Sequence, residues 1–232
     1  MILALLTGRG NSSLKNKNIL KLNKKPVLSY ACEQSKKVKS IKHFFVSSDD
    51  ENILNSAKKY GFNRIKRPSK LSRTNSLHHG VLIHAIRYLK KKKITPEIIV
   101  VLLANAPIIK NEWIDNCIKM LKKDKNCTAV VPVIKDNDKH PLRSKKIKKR
   151  YLANNSESKK KISSNRQDLE NCYFLCHNFW VIKTKEILKN DGLQPWSFMG
   201  KKVLPYPVKN HHDIHNKFDL KLCELILNQK EY

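Results

Sequence analysis

Short runs of consecutive apolar residues alternate along this chain with longer stretches in which apolar residues recur every three or four positions. Ile2-Leu3-Ala4-Leu5-Leu6 is such a run, ends at Thr7-Gly8, and predicts a buried strand. A helix is expected from Pro26 through Ser35, and a second strand at His43-Phe44-Phe45-Val46-Ser47. Asp50 to Tyr60 carries helical spacing at Ile53, Leu54 and Ala57, and Gly61 stops it. Val81 to Leu89 reads as an amphipathic helix, Ile98 to Leu103 as the clearest buried strand, Ile114, Ile118 and Leu121 as marks of another helix, and Thr128 to Ile134 as a further strand. Phe174 to Lys183 has strand character, and Phe218 to Leu227 closes the chain as an amphipathic helix, while Ile187–Leu193 fits neither period.

Alternation of apolar strands with helices predicts an α/β fold: three layers, with a mostly parallel, Rossmann-like sheet covered on both faces. In such sheets a ligand sits at the carboxyl ends of the strands, which directs attention to the loops after Leu6, Val46 and Leu103. Asp136 to Ser164 breaks the pattern, being polar and rich in lysine and serine, and Ser156–Lys161 reads as a flexible surface insertion. The 232 residues suit one domain, 1–232, with a small appendage at 136–172.

Charge complicates this picture. The formal net charge is +29, which on its face suggests a nucleic-acid binder. The lysines, however, are scattered over many segments, and aromatic residues make up 7% with no stacking pattern among the basic runs. We read the charge as compositional bias plus a general preference for anionic ligands, and expect no nucleic-acid partner. No apolar stretch approaches the roughly 20 residues of a membrane span, and no signal peptide is evident, so a cytoplasmic protein with reduced thiols is expected. Cys172 and Cys176 stand four apart beside His177, but no second pair accompanies them, which leaves a zinc site unsupported.

The loop after the first strand, Thr7-Gly8-Arg9-Gly10-Asn11-Ser12-Ser13, holds small residues whose backbone N–H groups can face phosphate oxygens, with Arg9, Lys15 and Lys17 as charges. It is neither a G-x-x-x-x-G-K-[ST] loop nor a G-x-G-x-x-G fingerprint. Arg9, Ser12 and Lys17-Asn18-Ile19 are followed by Val46-Ser47-Ser48-Asp49-Asp50, Ala57–Gly61, Arg67-Pro68-Ser69-Lys70-Leu71, Leu102 to Ile108, Arg166-Gln167-Asp168-Leu169, and Asp213-Ile214-His215 with Asp219. Seven motifs in this order resemble the CMP-N-acetylneuraminate synthetases and related CMP-sugar cytidylyltransferases over essentially the whole chain. Three positions depart from that pattern and mark a divergent branch: Ser13 where the family has lysine, Ala104-Asn105 where it has glutamine, and His215 in place of the second aspartate of the metal pair.

The resemblance implies a nucleotidyltransferase that moves CMP from CTP to the anomeric hydroxyl of an acidic 2-keto sugar and releases pyrophosphate, with Mg²⁺ or Mn²⁺ as cofactor. It implies catalytic roles for Arg9, Lys17 and Asp213. Thr7, Gly8, Gly10, Asn11, Ser12, Arg67, Ser76 and Asn105 would contact the nucleotide, with Asn105 reading cytosine or ribose. Arg166, Gln167 and Asn178 would contact the sugar, Arg166 having dimer contact as its alternative. Asp213 and His215 would hold the metal, although His215 also suits a general base. Residues 136–172 would form the dimerisation arm of a homodimer. Asp49 and Asp50 read as caps of the following helix, and His78, His79 and His84 need no catalytic role. Other readings are another NTP or a neutral sugar, or a non-catalytic binding homologue.

Overall fold

The apolar runs become the strands of one sheet in the computed structural model, which describes residues 1–10, 14–155 and 162–229. In chain order the elements are β1 (Ile2–Thr7), β2 (Lys21–Leu22), β3 (Lys25–Pro26), α1 (Val27–Lys36), β4 (His43–Ser48), α2 (Glu51–Lys59), β5 (Asn63–Lys66), α3 (His78–Lys91), β6 (Ile98–Leu103), α4 (Asn111–Lys123) and β7 (Ala129–Lys135). Then follow β8 (Lys145–Lys148), β9 (Tyr151–Asn154), β10 (Tyr173–Leu175), β11 (Phe179–Lys183), α5 (Thr184–Lys189), β12 (Val203–Pro207) and α6 (Lys217–Asn228).

The sheet runs β5–β4–β1–β6–β11–β7, with β12 parallel to β7 along its other edge. β11 is antiparallel to both neighbours, and β10 extends it along β7, so Phe174 to Lys183 is one bent strand broken near Asn178. The remaining pairings in the sheet are parallel, as the continuous apolar runs predict. Alternate residues of β1 and β6 feed opposite faces. Ala4, Leu6, Val100 and Leu102 pack with Leu28, Leu54 and Ile118, which places α1, α2 and α4 on one face. Leu3, Leu5, Ile99 and Val101 pack with Leu82, Leu89 and Ile187, which places α3 and α5 on the other.

Two caps fix where the chain turns into the helices that border the strand tips. Asp50 accepts from the N–H groups of Asn52 (2.7 Å) and Ile53 (3.2 Å) at the start of α2. Asn216 and Asp219 form a reciprocal capping box at the start of α6. A third, small cluster around Leu22, Val27, Ile108, Ile214 and Cys223 seats α6 and the segment before it beside β6. The polar stretch after β7 forms the β8–β9 hairpin, which is exposed along most of its length. Ser156–Lys161, read as a flexible insertion, lies outside the described residues.

Candidate active site

A cleft of about 350 Å³ opens at the carboxyl ends of β1 and β6, where a doubly wound sheet places ligands. Thr7, Gly8, Arg9, Lys17, Arg67, Ser76 and Asn105, all expected near the nucleotide, line it together. Lys15 is exposed, whereas Lys17 is half-buried and faces the cleft, so Lys17 is the loop lysine that the site contains. Burial lowers the Lys17 pKa; the charge of Asp213 pulls it back up, and Arg9 pushes it down. Lys17 thus feels the charges of both Arg9 and Asp213, and Asn105 of the cleft lining holds Asp213 by a hydrogen bond.

The first loop is held from below. Arg67 is 5% exposed; its Nη2 donates to the Gly8 carbonyl and lies 3.4 Å from Asp49 Oδ1. Asp49 Oδ1 also accepts from the Gly10 N–H at 3.2 Å. Asn18 is buried and donates from Nδ2 to the Arg9 carbonyl at 3.1 Å. Asp49 therefore serves the loop rather than the helix, because Asp50 alone caps α2. The signal was in the sequence: two adjacent aspartates cannot both take one N-cap. Asn11 and Ser12, expected on the nucleotide, lie outside the described residues together with Ser13.

Beside Asn105 of the cleft, buried Ile214 anchors the segment between β12 and α6, so Asp213 and His215 project to the same side, as an extended backbone requires. His215 Nε2 lies 2.8 Å from Asp213 Oδ2. Asn105 Nδ2 donates to the same oxygen at 3.1 Å and to the Ile214 carbonyl at 3.2 Å, while the Ile214 N–H donates to the Asn105 carbonyl at 2.9 Å. Both amide hydrogens of Asn105 hold the acidic segment, which corrects the expectation that this side chain reads the base. The neighbouring Ala104 is buried, and a Cβ at Gly8 would meet its Cβ at 3.0 Å, so position 104 is packing against the loop.

Burial keeps two histidines near the cleft neutral, His78 and His211. His78 lines the cleft with Nε2 3.3 Å from Thr7 Oγ1, which itself donates to the Leu102 carbonyl. Burial, reinforced by Arg67 and His177, brings its pKa down to about 4. His211 Nε2 accepts the His177 N–H at 3.2 Å, and burial, opposed by Asp213, takes this ring to about 4 as well. His212 is paired with Asp219 at 2.9 Å.

The residues expected on the sugar are placed elsewhere. Asn178 is fully buried; its Nδ2 donates to the Ile108 carbonyl (3.2 Å) and its Oδ1 accepts from the Phe179 N–H (2.8 Å). That side chain seals the bend between β10 and β11, and is a correction to its reading as a substrate contact. Arg166 and Gln167 line a separate pocket with Lys135, Asp136 and Asp138 at the root of the arm, where Arg166 is ion-paired with Asp138. Among the described residues no cluster of three His, Cys, Asp or Glu side chains is arranged to hold a metal. Asp213 and His215, the pair expected to hold a metal, are in contact with each other, and Asp219 is taken up by capping α6. One carboxylate fits Mg²⁺ only when phosphate oxygens complete the shell, which is how this ion is commonly bound.

A cleft lined by Arg9, Lys17, Arg67 and Arg73 suits a polyphosphate. The chain is 26% identical to the post-translational flagellin modification protein B of Campylobacter coli, over 99% of this chain and 96% of the relative. It is also 26% identical to the CMP-N,N'-diacetyllegionaminic acid synthase of Campylobacter jejuni, with the same coverage. In fold it is similar to a CMP:2-keto-3-deoxy-manno-octonic acid synthetase complexed with CTP, at a TM-score of 0.70 and 14% identity over 99% of both chains. The sequence profile of the cytidylyltransferases matches residues 3–194, and the chain belongs to that family.

Proposed function

We propose that this protein transfers CMP from CTP to the anomeric hydroxyl of an acidic 2-keto sugar of the nonulosonic type and releases pyrophosphate. The observation that carries this reading is the cleft that brings Arg9, Lys17 and Arg67 together with Asn105, whose amide holds Asp213. The full-length likeness to a legionaminic acid synthase supports the sugar class.

In this reading the sugar oxygen attacks the α-phosphorus, the bond to the bridging α–β oxygen breaks, and its electron pair leaves with pyrophosphate. Such a transfer needs alignment and neutralised charge more than covalent help. Arg9 and Lys17 take up charge on the β- and γ-phosphates, and the fixed Gly8–Gly10 backbone sets where they sit. Asp213 would hold Mg²⁺, or Mn²⁺, against phosphate oxygens; when bound, that ion supplies Lewis-acid polarisation of the phosphate and the sugar carboxylate. The Asp213 carboxylate orients the His215 imidazole, and such a pair suits removal of the hydroxyl proton.

We further read the β8–β9 hairpin as the contact arm of a homodimer. Its Ile147, Tyr151 and Leu152 side chains are 77%, 63% and 74% exposed, an apolar edge that a second copy would cover. Arg166 and Gln167 at its root would then approach the sugar in the partner's cleft. A cytoplasmic location fits six unpaired thiols, and no helix among the described residues is long and apolar enough to cross a membrane.

The test is pyrophosphate release with each of the four common NTPs against legionaminic, pseudaminic, N-acetylneuraminic and 3-deoxy-manno-octulosonic acids. Turnover with CTP and a nine-carbon sugar is expected, and Asp213→Ala should abolish it while the protein still folds. Because Asp213→Ala also loses the Asn105 and His215 contacts, its melting temperature is expected to fall by a few degrees, about as for a loss near 1 kcal/mol, with the fold intact. Absence of pyrophosphate with every pair, alongside CTP binding, would instead identify a non-catalytic homologue.

A further inference from the structure

We propose that Asp49 is a positioning residue for the triphosphate: one carboxylate, beneath the loop and away from the reacting atoms, sets the spacing of the groups that grip the phosphates. This rests on the reading of the cleft as a CTP site.

Three contacts tie the loop after β1 to the tips of β4 and β5, and a fourth joins those tips to each other. The Gly8 N–H donates to the Ser47 carbonyl at 3.3 Å, and the Gly8 carbonyl accepts from Arg67 Nη2. The Gly10 N–H donates to Asp49 Oδ1, and Arg67 Nη2 reaches the same oxygen. A single carboxylate oxygen thus fixes both Gly10 and the guanidinium that holds Gly8. Arg67 and Asp49 leave β5 and β4 in register, since the Arg67 N–H donates to the Ser48 carbonyl at 2.8 Å.

A second observation shows how closely the loop is seated. A Cβ built on Gly10 would lie 2.6 Å from Asp50 Oδ2 and 2.8 Å from Asp50 Cβ. Position 10 therefore has to be glycine for the N–H to reach Asp49. Burial raises the Asp49 pKa, but the Gly10 N–H, further hydrogen bonds and Arg67 outweigh it, and the carboxyl stays below its usual range and ionised at neutral pH. An anion in this position repels phosphate. Its contribution is therefore to hold the donors in place rather than to bind the nucleotide itself. In this proposal the nucleoside is gripped by groups that Asp49 does not touch.

The experiment is isothermal titration of wild type, Asp49→Asn and Asp49→Ala with CTP and, separately, with cytidine, together with thermal melting. Asp49→Ala removes the acceptor and the charge; it should weaken CTP on the order of tenfold or more while leaving cytidine within about twofold, because a lost charge-assisted hydrogen bond is worth about 1.5–3 kcal/mol. Asp49→Asn keeps an acceptor for Gly10 and should fall between the two. Equal weakening of CTP and cytidine marks a merely structural residue and overturns the proposal, as does unchanged CTP affinity. If Asp49→Ala fails to fold, Asp49→Asn decides by the same ratio. A wild-type chain that binds cytidine but not CTP refutes the functional reading beneath, a result distinct from a variant-specific failure.

Discussion

Replacing Asn105 by alanine separates the role the structure gives this residue from the one its position suggests. Its Nδ2 makes two hydrogen bonds, to Asp213 Oδ2 and to the Ile214 carbonyl. A neutral bond is worth about 1 kcal/mol and one to a charged group about 1.5–3 kcal/mol. The backbone bond between Ile214 N–H and Asn105 carbonyl survives the substitution, so the segment stays attached while Asp213 loses its brace. If that bracing is felt in the transition state, roughly 1.4–3 kcal/mol corresponds to a loss of about ten- to a hundredfold in kcat. Asn105 is half-buried and water can replace the amide, so the melting temperature should fall by about 2–4 °C for a loss near 1 kcal/mol in a chain of this size. Steady-state pyrophosphate release with CTP and legionaminic acid, with circular-dichroism melting alongside, reads both quantities. A variant that raises KM for CTP with kcat unchanged would refute this reasoning and return Asn105 to base recognition.

Asn178→Leu should destabilise the fold by about 2–3 kcal/mol through the two backbone groups it orphans, measured by urea unfolding, with KM for the sugar unchanged; a sugar-specific KM effect would restore its first assignment. For His78, the folded pKa of about 4 lies below the ordinary 6.5. Between these values the unfolded chain binds a proton that the folded chain refuses, so stability is lost as pH falls from about 6.5 towards 4. His78→Gln should flatten melting temperature against pH in that window, and parallel slopes would refute the assignment. Leu152→Asp on the exposed hairpin should yield monomers in sedimentation velocity if the arm joins two copies, and an unchanged dimer would place the interface elsewhere.

Strands were legible where burial on both faces wrote an uninterrupted apolar run, as in Ile98–Leu103, buried along nearly all its length. Two edge strands left no such mark. β5 buries only Ile65 of its four residues, and β12 carries Pro205 and Pro207, which an edge tolerates and a central strand does not. α5 spans six residues, less than two turns, so no period was available in Ile187–Leu193. The site was legible as an ordered set of motifs, and Arg9, Lys17, Arg67, Ser76 and Asn105 do converge on one cleft. Individual roles were not, because they depend on partners distant in the chain. Asn105 and Asn178 are chemically alike, yet one holds a loop 108 positions away and the other seals a bend.

The arm leaves β7 after Lys135 and returns into β10 at Tyr173, and these two residues face each other across the ladder. Asp136 and Cys172 continue the match, the N–H of the former donating to the carbonyl of the latter at 3.0 Å. The whole excursion thus begins and ends at one rung of the sheet, and a short hairpin turn would close the gap. The segment between Asp136 and Cys172 can therefore change in length without disturbing the register of the strands that border the cleft.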